Sequence, residues 1–155
     1  METLFTVLHV VAAVFIIGPM AILPMTGMRA VRAREAGQVA VLAKSVSVFT
    51  LLSLLVTLLG FGLLGMTGHS FSTTWVWLST LVYAIALVLN LFLVVPALQS
   101  AAEEITATAG TATAGTATAG TVAVAKVASY SRIAAGSGIV SLLLVTVTVL
   151  MVWRP

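Results

Sequence analysis

The 155-residue chain contains no cysteine and no aspartate, and only 7% of its residues are charged. Soluble domains carry about 25% charged residues, so this chain cannot wet the surface of a hydrated globule. The missing cysteines exclude disulfides and thiol redox chemistry. The only carboxylates are Glu2, Glu35, Glu103 and Glu104. What is abundant is apolar: 61% of residues are hydrophobic and the mean hydropathy is +1.21. The chain reads as one integral membrane domain, 1–155. The pI near 10.0 reflects cations flanking membrane segments, so no nucleic-acid partner is expected.

Four apolar stretches reach the roughly 20 residues that a membrane helix needs. They run from Leu4 to Met25, Val46 to Met66, Trp75 to Leu98 and Ile133 to Trp153. At 1.5 Å per residue each is roughly 31 to 36 Å long, enough to cross with modest tilt. None shows the alternation of short barrel strands. The expected fold is therefore an all-α, four-transmembrane-helix bundle.

Orientation follows from the cations. Arg29, Arg32, Arg34 and Lys44 lie between spans one and two, and Lys126 and Arg132 between spans three and four. Only Arg154 lies on the other side. The positive-inside rule then places both of those connections in the cytoplasm and both termini outside, in a plasma membrane. Trp75, Trp77 and Trp153 fall at the outer interface, where aromatic belts sit. The basic cluster follows the first apolar run, the reverse of a signal peptide, so that span is expected to be a permanent anchor.

The two halves resemble each other. Ile22-Leu23-Pro24 closes span one and Val94-Val95-Pro96 closes span three, 72 residues apart. The approach to span two, Val39 to Ser47, resembles that to span four, Val122 to Ser129. Two duplicated helical hairpins account for this, and so does chance likeness between apolar hairpins. The second half also carries three Thr-Ala-Thr-Ala-Gly units, 106–110, 111–115 and 116–120. Alanine favours extending the helices into this tract, whereas threonine and glycine oppose it. The segment 105–121 is read as a low-complexity cytoplasmic loop, mobile and dispensable.

Few side chains inside the spans can carry chemistry. His9 lies two turns into span one and His69 in the outer connection, on the same side of the membrane. Two imidazoles can ligate haem b or a metal ion, while a lone histidine in a bundle also serves as a hydrogen-bonding residue. Gly18-Pro19, with Pro24 beyond it, should kink span one, and broken helices also mark solute sites. Asn90 needs a partner in hydrocarbon, and Tyr83 shares its face. Ser53 and Thr57, and Ala134, Ser137, Gly138 and Ser141, form small-residue stripes. These predict packing of spans two and four, against each other or a partner chain. Arg29, Arg32 and Arg34 suit anionic lipid headgroups or an acidic partner patch, beyond their role in topology.

The inventory excludes several small membrane machines. Four-helix multidrug transporters need a glutamate in the first span. Quinone-coupled thiol oxidases need cysteine, and alcohol phosphatidyltransferases need several aspartates. Intramembrane serine proteolysis needs a serine beside a buried histidine, and no serine in a nucleophile-like setting accompanies His9.

The stretch Leu8-His9-Val10-Val11-Ala12-Ala13-Val14-Phe15-Ile16-Ile17-Gly18-Pro19, followed by a basic segment and three further spans, resembles a bacterial family of small four-helix integral membrane proteins with no established activity. The likeness covers the first hairpin and extends to the rest by topology. It implies that His9 and Gly18 are not incidental. The Ala, Val, Thr and Arg usage also resembles that of GC-rich actinobacterial genomes. The expected role is a non-enzymatic accessory or assembly subunit, without a resident cofactor, bound to a larger membrane complex or to itself. The alternatives are a haem- or metal-binding redox protein using His9, and a carrier for a small neutral solute.

Overall fold

A computed structural model describes residues 2–67, 70, 72–114 and 129–153. Every regular element among them is helical. Helix α1 (2–33) comprises Glu2–Ala12, a widened π turn Ala13–Ile17, and Gly18–Ala33. Helix α2 is Ala36–Thr67. Helix α3 (74–114) comprises Thr74–Leu89, a second π turn Asn90–Val94, and Val95–Ala114. Helix α4 is Tyr130–Trp153. All four are long and apolar enough to cross a membrane. Helix is the required form because hydrocarbon offers backbone groups no other partner.

Proline explains both π turns. Each ends just before an X-Pro step, Gly18-Pro19 in α1 and Val95-Pro96 in α3. Proline has no N–H to donate and crowds the carbonyl of the preceding turn. Widening by one residue relieves the crowding, and the Val95 N–H duly donates to the Asn90 carbonyl five residues back. The break expected at Gly18-Pro19 is thus a π turn in a continuous helix. It also shifts the internal match, since Pro96 corresponds to Pro19 by its place after the turn.

The helices outrun the apolar spans at the cation-bearing end. The segment 26–45, expected to connect spans one and two, is almost wholly helical, leaving two residues as the turn. Arg34 makes that turn with φ 57°, the left-handed conformation that ends helices. Its N–H and that of Glu35 close back on the Ala30 and Val31 carbonyls. At the other connection α3 continues through Ile105 and the first repeat unit to Ala114. Residues 105–114, expected within the loop, are therefore helical. Ile105 is buried in the core, and the Thr106 and Thr108 hydroxyls donate to the Ala102 and Glu104 carbonyls. These bonds let threonine sit within the helix. Residues 115–121 lie outside the described residues.

The helices form a ring. Helix α2 packs along α1 and against the Val95–Ala114 segment of α3, while α4 packs against Thr74–Leu89 and against Gly18–Ala33 of α1. Helices α2 and α4 do not pack along one another. Of the two expected uses of their small-residue stripes, packing against each other is therefore corrected. Ser53 of α2 instead faces Tyr83 of α3, and Ser141 of α4 faces Ala21 of α1. Both serines open a Ser-Leu-Leu run, and each reaches the first helix of the other hairpin. The core is densest toward the cation-bearing end, where Ala30, Val31, Val39, Leu98, Ala101 and Ile105 are buried. Through Ile17, the described side chains of α1 include no buried residue.

Candidate functional site

Two hydrogen-bonded chains cross the α2–α3 interface. The Tyr83 hydroxyl lies 2.7 Å from Ser53 Oγ, and Ser53 Oγ donates to the Thr50 carbonyl at 2.6 Å. Ser53 has one hydroxyl proton, so Tyr83 is the donor in their pair. One turn on, Asn90 Nδ2 donates to Thr50 Oγ1 at 2.7 Å, and Thr50 Oγ1 donates to the Val46 carbonyl at 2.7 Å. Asn90, Thr50 and Ser53 are fully buried. Protons thus point from α3 into α2 throughout, and the Asn90 Oδ1 acceptor has no partner among the described residues. Interhelical bonds of this kind are worth about 0.6 to 2 kcal/mol each.

A third bond joins α4 to α1. Ser141 Oγ donates to the Ala21 carbonyl at 3.1 Å. Pro24 removes the N–H that would serve the neighbouring Met20 carbonyl, so α1 is weakly bonded there. Ser141 thus ties α4 to α1 at the carbonyl next to the one that Pro24 leaves without its backbone donor.

His9 forms the fourth cross-link. Its Nδ1 lies 3.0 Å from the Val56 carbonyl oxygen of α2. A carbonyl only accepts, so Nδ1 carries the proton. In the neutral ring the Nε2 lone pair is then left available, a Lewis base at membrane depth. Gly60 makes room for the imidazole: a Cβ there would lie 3.0 Å from His9 Cε1. Phe5, one turn before His9, lies over Gly62 in the same way.

The sequence-predicted residues therefore fall into separate places. His9 sits between α1 and α2, while His69 lies outside the described residues. Asn90 pairs with Thr50, whereas Gly18 has open space around its α-carbon in the other hairpin. Arg29 and Arg32 are exposed at the cation-bearing end, and Arg34 is the α1 cap. The Arg32 guanidinium lies over the Tyr130 ring, 5.1 Å from its centroid. Ser129 donates to Glu104 Oε1 at 2.8 Å, which ties the start of α4 to α3. Thr50, Gly60 and Tyr130 were not singled out from the sequence. The three-residue spacing of Thr50 and Ser53 was a usable signal for the first, and nothing local marks Gly60 or Tyr130.

No curated protein and no solved structure matches the chain. A family model described as "Predicted integral membrane protein (DUF2269)" does match, over residues 3–155. Four membrane-length helices and hydroxyl, amide and imidazole cross-links between them agree with that description, and the chain belongs to this family of integral membrane proteins.

Proposed function

We propose that the protein is a non-enzymatic accessory or assembly subunit of a larger membrane complex, a respiratory complex being the specific case, and that it docks through α1 onto a transmembrane helix of another membrane protein. The observation that carries this reading is the packing of α1 from Glu2 to Ile17. That half rests on α2, while Leu4, Val7, Leu8, Val11, Val14 and Phe15 face outward. It offers an apolar ridge at membrane depth, and among the described residues its span is the least buried of the four, 6% against 22 to 39%. The bacterial plasma membrane is the setting, with an actinobacterial source favoured by composition. Arg29, Arg32, Lys44 and Arg132 lie at one end of the bundle and Trp75, Trp77 and Trp153 at the other, which supports cytoplasmic arginines and outer termini.

A photo-crosslinking residue at Val11 or Val14, in protein expressed at native level, is expected to capture a specific membrane protein. The same residue at Val48 or Leu142, on outward faces of α2 and α4, is expected to capture lipid. A lone monomer at all four positions, and on purification, overturns the subunit reading.

A second reading rests on the His9 tautomer. Metal-ligating histidines commonly donate their other ring N–H to a carbonyl or carboxylate, and His9 has that arrangement. Its Nε2 would supply an axial nitrogen to haem b or a ligand to a metal ion. Detergent-purified protein would then show a Soret band that His9→Ala abolishes. A colourless, metal-free preparation removes this reading. The carrier reading has no comparable support, because Asn90 is fully buried and its amide nitrogen is held by Thr50.

A further inference from the structure

The structure separates the three arginines at the end of α1. Arg34 serves as the left-handed helix cap, whereas Arg29 and Arg32 are exposed and three residues apart. That spacing puts them on one helix face, about 5 to 6 Å apart at Cβ. The Arg32 guanidinium makes a cation–π contact with Tyr130. A cation–π contact leaves guanidinium N–H donors for phosphate oxygens, which arginine grips in pairs. Tyr130 lies three residues before the apolar span of α4, and Arg29 four residues after that of α1. At 1.5 Å per residue both stand roughly 5 to 6 Å beyond the hydrocarbon, within the headgroup layer. Arg132 faces elsewhere, lining a polar groove with Ser100, Glu104, Ser129 and Ser131.

We propose that Arg29, Arg32 and Tyr130 form a binding site for the phosphate of an anionic phospholipid at the cation-bearing membrane surface. The two guanidiniums bind the phosphate, and Tyr130 holds Arg32 at the α1–α4 seam. A bound lipid would thereby brace the two hairpins where they meet. The site is independent of the partner-docking face of α1, which lies at the opposite end of the bundle.

The full chain in detergent is mixed with equal amounts of phosphatidylglycerol and phosphatidylcholine, and retained lipid is read by native mass spectrometry. Preferential retention of phosphatidylglycerol is expected, falling roughly fivefold for each arginine removed in Arg29→Gln and Arg32→Gln. Tyr130→Leu should weaken retention, and Lys44→Gln should not. Unchanged melting of the variants in phosphatidylcholine micelles establishes that they remain folded, and Arg29→Lys/Arg32→Lys replaces the glutamine pair where they do not. Four outcomes overturn the proposal. These are equal retention of both lipids, equal loss in Lys44→Gln, full displacement by millimolar inorganic phosphate, and loss of a co-purifying protein from the arginine variants without any lipid preference. The last two would assign the arginines to a soluble anion and to an acidic protein surface.

Discussion

Thr50→Val is expected to destabilise the bundle by about 2 kcal/mol, although valine matches threonine closely in shape. Among the described residues Thr50 Oγ1 accepts from Asn90 Nδ2, and Asn90 Oδ1 has no partner. Removing the hydroxyl leaves a whole carboxamide unpaired in a fully buried position. The penalty comes from that orphaned group more than from the lost bond. Asn90→Leu keeps the branching of the side chain and removes both orphans. The double variant Thr50→Val/Asn90→Leu should therefore return to within about 1 kcal/mol of the parent. Asn90→Leu alone should be near neutral, since Thr50 retains its bond to the Val46 carbonyl. Reversible unfolding in mixed micelles measures all three. Additive losses in the double variant would show that the pair is not coupled as described.

Gly27→Val is expected to cost about 3 kcal/mol, the upper end of the range for overpacking. Gly27 lies on α1 where it crosses α3. A Cβ there would stand 2.7 Å from Leu98 Cδ2, a distance real side chains do not tolerate. Leu98 is fully buried, so its methyl cannot swing into solvent or lipid. Leu98→Ala makes room, and Gly27→Val/Leu98→Ala should be more stable than the two single losses predict. Gly65→Ala is the control. It has nothing within 4 Å of the added carbon and should gain up to about 1 kcal/mol from helix propensity. Equal behaviour of Gly27→Val and Gly65→Ala would sink the packing account. These two predictions probe the two kinds of interhelical contact separately, one polar and one steric.

The four spans were legible because each apolar run is long enough to cross a bilayer and bounded by charge or turn residues. Asn90 was legible as a group in need of a partner, because an amide in hydrocarbon has no solvent to turn to. Tyr83 was legible as its companion on the same face, and both are buried. The break at Gly18-Pro19 was also readable, since proline cannot donate. The π turn that accompanies it was not, because the backbone can accommodate a proline in several local forms.

What tertiary structure alone decided is which helix meets which. The spans are apolar around their whole circumference, so no stripe marks the face that packs, as it does on a helix between water and a core. Small-residue spacing in α2 and α4 pointed to close contacts, but those stripes serve different neighbours across the ring. Thr50 became the partner of Asn90, Gly60 the seat of His9 and Tyr130 the platform for Arg32 only when distant segments came together. The length and apolarity of the chain by themselves determined a four-helix membrane protein. The pairing of its few polar groups was decided by helix packing, because in an apolar medium a hydrogen bond or a close steric fit distinguishes one neighbour from another.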